Sequence, residues 1–489
     1  MAKRTQVLLL CAAMAAVLAL SLVLATNVHT EITDHMAGYE DSLPVVSMPW
    51  GSMHAALAVW CIALGWSVIG LVWCFTRKKV QLPAATFLLL VLGGVMAVAA
   101  QWPHMNKGWD SMVHADWVRM FSGADGLSLS GYIGSFNTWF FGYLPYTAGM
   151  TIANLFGMPY TVSGTFTIMV GMLTYAAMCS AAVAAAPKYK LAFMAAALIP
   201  TAVFQSVNIS YDAPIAASLL LGTALVMREL CTPDERLNGR NAMAMAMLFS
   251  LGTIAKPAYS MPLMLLWLLP AGKFAGKKQR IVFCLFVFVL LAACLGSMAL
   301  GMYGDQLDGD DRMEGSDPAG QIASFMENPQ QTLAMLGRYL THDMPKLFKL
   351  GCSTWAYCGA NSNVSLAALV TLLIAAFVAL DEKHGPVLTW RRRMTFALAG
   401  FLPLLGLILA QWLVSTPVDS ATVVGMQPRY VVPVLVYSAL TLALPDKWRA
   451  AGGKFGRAAA FAVAAVMLAL VYMSGWEYGL VNVQGIVFP

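Results

Sequence analysis

Charged side chains are rare in this chain, and four of them adjoin long apolar runs: Asp110, Asp212, Lys256 and Arg429. A carboxylate in such a place can take a proton from an acceptor hydroxyl. Lysine and arginine can hold a phosphate and stabilise the charge that grows on it as it leaves. A lipid phosphate would be such a leaving group and would explain a site within the membrane. The four residues therefore predict transfer chemistry on a lipid-linked phosphate.

The carboxylate of Asp110 lies in segment 104–121, which separates two apolar runs. At helical spacing Asp110 and His114 are four residues apart and share one face. Trp109 and Trp117 are of the type that sits at a membrane–water boundary. The pattern predicts a short interfacial helix that holds a carboxylate at the mouth of a membrane cavity. A solvated loop anchored by the two tryptophans is the alternative.

Each of the other three groups also has a purely structural interpretation. Asp212 either lines the site or caps a helix that begins at Pro214. Lys256 either binds substrate or extends along the protein to the membrane interface. Arg429 either binds phosphate or pairs with Asp419 or a lipid headgroup. Because all of them are placed on the same side of the membrane, we favour a shared site.

The composition identifies the class of protein. Hydrophobic residues make up 59% of the 489 residues and charged residues 11%, and the mean hydropathy is +0.69. Soluble domains carry about 25% charged residues, so we expect an all-α, polytopic integral membrane protein. The net charge of +6 does not indicate nucleic acid, because the basic residues cluster in short loops between apolar runs. The nine cysteines include no CxxC pair of a zinc or redox motif.

The apolar runs predict about 13 transmembrane helices. Residues 242–271 count as two, because both flanks are basic and Lys256-Pro257 interrupts the run. The first run is either a signal peptide or a retained helix, and we favour the helix. The predicted spans are 5–25, 53–75, 82–101, 159–185, 190–207, 211–230, 242–271, 281–302, 363–380, 394–415, 429–445 and 458–476.

The distribution of basic residues predicts the orientation of these spans. Most of the 30 lysines and arginines fall in loops on one side, which the positive-inside rule assigns to the cytoplasm. The N-terminus is then cytoplasmic, the C-terminus extracytoplasmic, and loops 104–158 and 303–362 face outward. In the second loop, 330–350 carries an apolar stripe and is predicted to lie flat on the bilayer.

Three regions follow from this arrangement. Residues 1–79 would add two transmembrane helices to a membrane core at 80–445, and 446–489 would form the last helix and an outer tail. Cys352 and Cys358 both fall in an outward loop, where a disulfide is one of two open outcomes.

Six segments carry a resemblance to a known family. They are WDSMVHADWVRMF (109–121), GYLPYTAG (142–149), NISYDAP (208–214), AKPAYSMPLMLL (255–266), ENPQQTL (327–333) and GMQPRYVVPV (425–434). In their order and sidedness the chain resembles the GT-C glycosyltransferase superfamily. It is most similar to a bacterial "predicted membrane protein" family, domain of unknown function 2142, within or near that superfamily. The resemblance covers about residues 80–445.

The resemblance implies a GT-C-like fold with outward-facing interfacial helices, in a bacterial plasma membrane. It also implies that Asp110 matches the catalytic carboxylate and that the donor is a polyprenyl-phosphate sugar used on the outer face. Ser111 follows Asp110 where the superfamily commonly has a second acid. Whether His114 or Asp116 replaces that acid, and whether a divalent cation takes part, stays open.

Charge placement and resemblance together predict an inverting membrane glycosyltransferase. Asp110 would be the general base and His114 would orient it or the acceptor. Lys256, Arg429 and Gln427 would bind the lipid-linked phosphate, and Tyr211 and Asp212 would line the pocket. The partners would be the lipid-linked sugar, a cell-envelope glycan or lipid acceptor and membrane lipids, with no nucleic acid.

Two other functions explain part of the pattern. A transporter or flippase for lipid-linked saccharides predicts charges near the bilayer midplane and pseudo-symmetric halves. An assembly subunit without activity predicts that Asp110 is buried in a salt bridge. The outward position of the charges favours the enzyme over the transporter.

Overall fold

The computed structural model describes residues 50–101, 109–122, 139–304, 315–353, 362–378, 380, 388–418, 420–443 and 454–477. These residues form helices and turns without any β-strand; Ser316 and Pro417 form an isolated antiparallel bridge. The α-helices are α1 Trp50–Thr76, α2 Leu82–Gln101, α3 Trp109–Phe121, α4 Trp139–Leu155, α5 Tyr160–Ala185, α6 Lys190–Ala197, α7 Pro200–Ser206, α8 Asp212–Cys231, α9 Gly239–Phe249, α10 Lys277–Gly304, α11 Pro318–Glu327, α12 Pro329–Arg338, α13 Met344–Leu350, α14 Ser362–Ala375, α15 Trp390–Val414, α16 Leu435–Leu442 and α17 Lys454–Gly475.

Seven of the described helices are long and apolar enough to cross a membrane. They contain Ala56–Thr76, Leu82–Ala100, Val162–Ala185, Asp212–Cys231, Lys277–Ser297, Trp390–Val414 and Lys454–Gly475. Shorter apolar helices cover Pro257–Leu268, Asn363–Ala375 and Pro428–Leu442. The all-helical membrane class is thus confirmed. The count of 13 spans stays a prediction, and its first member, 5–25, lies outside the described residues.

The predicted span 190–207 is wrong as a single helix. It consists of two short helices, α6 and α7, which are separated by Leu198 and the non-helical Ile199. Pro200 causes the break, because proline disfavours helical geometry at the residue before it and lacks an N–H for the helical hydrogen bond. Both helices are almost wholly buried in the interior of the protein.

The break predicted in 242–271 is confirmed. Helix α9 ends at Phe249, a 3₁₀ turn follows at Leu251–Thr253, and a 3₁₀ helix runs over Pro257–Leu268. With a rise of about 1.5 Å per residue the 11-residue α9 covers only about half of the ~30 Å hydrocarbon core. A crossing by the first half would therefore have to include the chain as far as Lys256, where the two halves meet.

The segment α11–α13 packs on the protein core with part of the predicted apolar stripe, which consists of Leu333, Leu336, Leu340, Leu347 and Phe348. Leu347 is buried, and Leu336, Leu340 and Phe348 are partly buried against the core, whereas Leu333 is exposed. Met335 and Met344, which the stripe did not include, are buried too. Between α12 and α13 a π-helical turn at Tyr339–Asp343 continues the same packing. The position of the segment flat on the bilayer stays a prediction.

Two of the long helices show the difference between interior and periphery. Most residues of α8 are buried, and α8 packs against α5, α9 and the 3₁₀ segment Pro428–Val434. Helix α10 is apolar yet largely exposed, and it packs mainly on the 3₁₀ helix Pro257–Leu268. An apolar, exposed surface of this kind suits contact with lipid, whereas the charged ends of α8 must be satisfied by protein.

Several predictions fall outside the described residues. They include the partner cysteine Cys358 and the outer C-terminal tail. The backbone of Asp110 and Asp116 is described as part of α3, but their side chains are not.

Candidate functional site

Asp212 is the first residue of α8, and its side chain is only 6% exposed. The capping interpretation is wrong, because the helix begins at Asp212 itself and not at Pro214. The backbone N–H of Asp212 instead donates to Ser210 Oγ, at 3.2 Å. The carboxylate is therefore directed at other segments, beside the positive end of the helix dipole.

Lys256 reaches Asp212 from the break between α9 and the 3₁₀ helix. Its Nζ lies 2.8 Å from Asp212 Oδ1, and its side chain is 11% exposed. The ammonium also lies over two aromatic rings, 4.8 Å from the centroid of Tyr211 and 3.9 Å from that of Tyr430. Such cation–π contacts stabilise a desolvated ammonium. The interpretation in which Lys256 extends to the membrane interface is therefore wrong.

Arg429 approaches Asp212 from a third segment. Its Nε lies 3.1 Å from Asp212 Oδ2, and its side chain is 13% exposed. Arg429 is the second residue of the 3₁₀ segment Pro428–Val434. In the first turn of this segment, the N–H of Tyr430 donates to the carbonyl of Gln427. The predicted alternative partner, Asp419, is outside the described residues. The role of Gln427 in phosphate binding stays a prediction.

Each of the two cations is next to the first proline of one of two similar segments. Lys256 precedes Pro257 and Arg429 follows Pro428, and both prolines begin a Pro-x-Tyr-x-x-Pro sequence that forms a 3₁₀ helix. The hydroxyl of Tyr259 in the first segment donates to the carbonyl of Tyr430 in the second, at 2.6 Å. Sequence reasoning missed both tyrosines, although the repeated spacing of proline and tyrosine was a visible signal.

Helix α3 contacts the site through His114. The buried His114 side chain is hydrogen-bonded through Nδ1 to the hydroxyl of Tyr143 on α4. Its ring also meets the ring of Tyr211 edge-on, with centroids 5.0 Å apart. The predicted helix therefore exists and adjoins the charged cluster, and its position at the membrane interface stays a prediction. Asp110 is one helical turn before His114, on the same face.

A glycine allows α4 to come close to the site. A Cβ atom added to Gly142 would lie 2.6 Å from Ala255 Cβ and 2.8 Å from Tyr211 Cβ. Ala255 precedes Lys256 in the chain, and Tyr211 precedes Asp212. Only glycine at position 142 lets α4 lie directly against both.

The segment α11–α13 supports the part of the chain that carries Arg429. Gln321 Nε2 on α11 donates to the carbonyl of Thr416, at 2.7 Å. Gly351, after α13, contacts the carbonyl of Pro428 so closely that a side chain there would collide with it. Gly425 has φ +90°, a conformation that favours glycine, and makes the turn that leads to Gln427. These contacts position the loop at the start of the 3₁₀ segment.

The cluster brings together five of the predicted residues: His114, Tyr211, Asp212, Lys256 and Arg429. Two cations, one carboxylate and a helix N-terminus in a largely buried place can bind an anion such as a phosphate. A histidine and aromatic rings adjoin them. Within the described side chains, no group of three His, Cys, Asp or Glu residues is placed to hold a metal ion; Asp110 and Asp116 were outside that search.

A second buried ion pair lies at the other end of α8. Lys273 Nζ is 2.8 Å from Glu229 Oε2 and donates to Thr232 Oγ1 at 2.9 Å. Asn241 Nδ2 donates to Glu229 Oε1 at 2.7 Å. The side chains of Lys273 and Glu229 are 1% and 7% exposed. Charge distribution predicts that this end is cytoplasmic.

Comparison with known proteins identifies a family but not an activity. Searches of curated proteins and of solved structures found no match. The model of the family described as "Predicted membrane protein (DUF2142)" matches residues 131–438. The matched range contains Asp212, Lys256 and Arg429 and begins after Asp110 and His114. Because it covers more than half of the chain, the protein belongs to the DUF2142 family of predicted membrane proteins.

Proposed function

We propose that this protein is a membrane glycosyltransferase that uses a polyprenyl-phosphate sugar on the extracytoplasmic face of a bacterial plasma membrane. One observation carries the proposal: three distant segments bring Asp212, Lys256 and Arg429 together in a largely buried cluster. Charged groups are costly in such surroundings, and within membrane proteins they commonly mark substrate pathways. A lipid-linked phosphate is a ligand that needs both cations and a place in the membrane.

In the proposed reaction an acceptor hydroxyl attacks the anomeric carbon of the sugar. The bond between that carbon and the phosphate oxygen breaks, and the lipid phosphate leaves with the bonding electrons. Lys256 and Arg429 stabilise the charge on the leaving phosphate, with Gln427 as a further ligand. Asp110 takes the proton of the hydroxyl, and His114 orients Asp110 or the acceptor. The acceptor is a cell-envelope glycan or lipid.

The proposal includes a GT-C-like fold with about 13 crossings, a cytoplasmic N-terminus and an extracytoplasmic C-terminus. Helix α3 supports the assignment of Asp110, because His114, one turn further along, adjoins Tyr211. The rival function, transport of a lipid-linked saccharide, needs the same phosphate contacts but no bond cleavage. Product formation therefore distinguishes the two.

The decisive experiment incubates the purified protein in lipid nanodiscs with a panel of polyprenyl-phosphate sugars and measures release of the lipid phosphate. Release that depends on an added envelope acceptor supports the enzyme. Replacing Asp110 by Asn should abolish transfer while the protein stays folded. Saturable binding without release would favour the transporter, and near-normal transfer by Asp110→Asn would refute the role of Asp110.

A further inference from the structure

Asp212 already occupies both cations that the proposed function assigns to the lipid phosphate. Lys256 Nζ binds one carboxylate oxygen at 2.8 Å and Arg429 Nε approaches the other at 3.1 Å. A phosphate that contacts both cations must therefore sit beside the charge of Asp212 or replace it. In the first case the carboxylate repels the phosphate, and in the second it competes with the phosphate for the cations. This inference rests on the proposed function, since it concerns the same phosphate.

The effect of Asp212 depends on the charge of the ligand. The repulsion between two charged groups is proportional to the product of their charges, so a dianion is penalised about twice as much as a monoanion. Screening by salt is weak for groups buried to this degree. The difference in repulsion between the two ligands does not depend on the other charges around the cluster. The comparison concerns only what Asp212 contributes to the binding free energy of each ligand.

The donor and the leaving group of the proposed reaction differ in their negative charge. A sugar linked to a lipid through one phosphate is a phosphodiester with a single negative charge. The lipid phosphate that leaves is a monoester, which near neutral pH carries between about 1.5 and 2 negative charges. We propose that Asp212 is a specificity-determining counterion, which lowers the affinity of the Lys256–Arg429 pair for the phosphomonoester more than for the phosphodiester. Asp212 thereby promotes release of the product.

The surroundings of Lys256 allow the carboxylate to be neutralised without loss of the site. The ammonium remains over the rings of Tyr211 and Tyr430, at 4.8 and 3.9 Å from their centroids. The hydroxyl of Tyr259 ties the backbone of Tyr430 to the segment that follows Lys256. The guanidinium of Arg429 also lies 5.7 Å from the centroid of the Tyr430 ring. Replacement of Asp212 by Asn should therefore leave both cations beside that ring and remove one charge.

The test compares two synthetic ligands with the same tail, farnesyl phosphate and its methyl ester, bound to the full-length protein in nanodiscs of uncharged lipid. Both dissociation constants are measured for the wild type and Asp212→Asn at about pH 8, above the second pKa of the monoester. In Asp212→Asn the affinity for the monoester should rise by about tenfold or more relative to the methyl ester. Asp212→Glu keeps the charge and should keep the wild-type ratio.

Asp234→Asn is the matched control for loss of one carboxylate. Asp234 is exposed in the turn after α8, at the end opposite to Asp212, and the ratio should not change. An unchanged ratio in folded Asp212→Asn would overturn the inference while leaving the proposed function intact. Failure of both ligands to bind the wild type would overturn the proposed function as well.

A structure of the wild type with the bound methyl ester tests the inference without any variant. The phosphate should contact Lys256 and Arg429 with the Asp212 carboxylate within about 6 Å of it, the range in which a charge strongly affects its neighbour. A phosphate bound away from these cations would overturn the inference.

Discussion

The two ends of α8 hold buried ion pairs of different kinds. At the N-terminal end Asp212 pairs with Lys256, and at the C-terminal end Glu229 pairs with Lys273; in both cases the lysine is 44 residues further along the chain. In the second pair each carboxylate oxygen has one donor, from Lys273 or from the amide of Asn241. In the first pair a second cation, Arg429, approaches the same carboxylate.

The difference indicates separate roles for the two ends. Glu229 and Lys273 satisfy each other at the turn where the broken segment 239–273 returns to α8, so the pair fastens that segment. Asp212 shares two cations beside a helix N-terminus, where the helix dipole adds positive potential. A carboxylate with two cationic partners can give up one of them to a ligand. Glu229 has one cationic partner, so it cannot give up Lys273 without leaving a buried charge unpaired.

The largest expected effect is on stability, at the Glu229 end. Replacing Lys273 by Met leaves the Glu229 carboxylate buried without a cation, which costs about 3–5 kcal/mol of the free energy of unfolding. Unfolding in bicelles by denaturant or steric trapping measures this loss. The double change Lys273→Met with Glu229→Gln should recover most of it. Transfer by the fraction that remains folded should be unchanged, and a loss there would contradict the separation of roles.

At the Asp212 end, replacing Lys256 by Met should reduce activity more than stability. Arg429 still pairs with Asp212, so the carboxylate is not left alone. The leaving phosphate loses one of its two cations, and turnover should fall about 100-fold, equivalent to about 2.7 kcal/mol. Lipid-phosphate release and the unfolding midpoint are measured on the same preparation. A loss of stability as large as that of Lys273→Met would show that the ion pair at the Asp212 end also has a structural role.

The approach of α4 to the site can be tested at Gly142. An added methyl group would collide with Ala255 and Tyr211, and the strain should cost about 1–3 kcal/mol and displace the two charged residues that follow them. Gly142→Ala should therefore lower both stability and turnover. Gly164→Ala on α5 is the matched control, because its methyl group meets no atom within 4 Å. Normal turnover in folded Gly142→Ala would show that the close approach is unnecessary.

The smallest effect is expected from Tyr259→Phe. The change removes the hydrogen bond to the carbonyl of Tyr430 but keeps the ring, and it should cost about 1 kcal/mol. Because that bond joins the two segments that carry Lys256 and Arg429, binding of farnesyl phosphate should weaken a few-fold, by the same amount of free energy. Unaltered binding with lowered stability would restrict Tyr259 to a structural role.

Parts of the fold could be predicted because their cause is local. The long apolar runs identified all seven candidate spans, and Lys256-Pro257 located the break in 242–271. The tryptophans and the spacing of Asp110 and His114 predicted helix α3. Pro200, by the same local reasoning, should have divided 190–207, but the apolar composition on both sides of it masked the signal.

The segment α11–α13 shows where sequence reasoning failed. Four of the five residues of its predicted apolar stripe pack at least partly on the protein core, but Leu333 is exposed and the buried Met335 and Met344 were not included. An amphipathic helix has the same pattern on protein and on lipid, because the pattern records only that one face avoids water. Which apolar surface covers that face depends on the rest of the fold.

The sequence by itself determined the membrane class, the positions of most helices and the small set of charged residues that could act in a membrane. Composition and periodicity are properties of neighbouring residues and can be read along the chain. Only the tertiary structure decided that Asp212 is the acid between Lys256 and Arg429, because these residues come from three segments separated by 44 and 173 positions. The packing of α8 against the two proline-initiated 3₁₀ segments joins them, and no local pattern contains that contact.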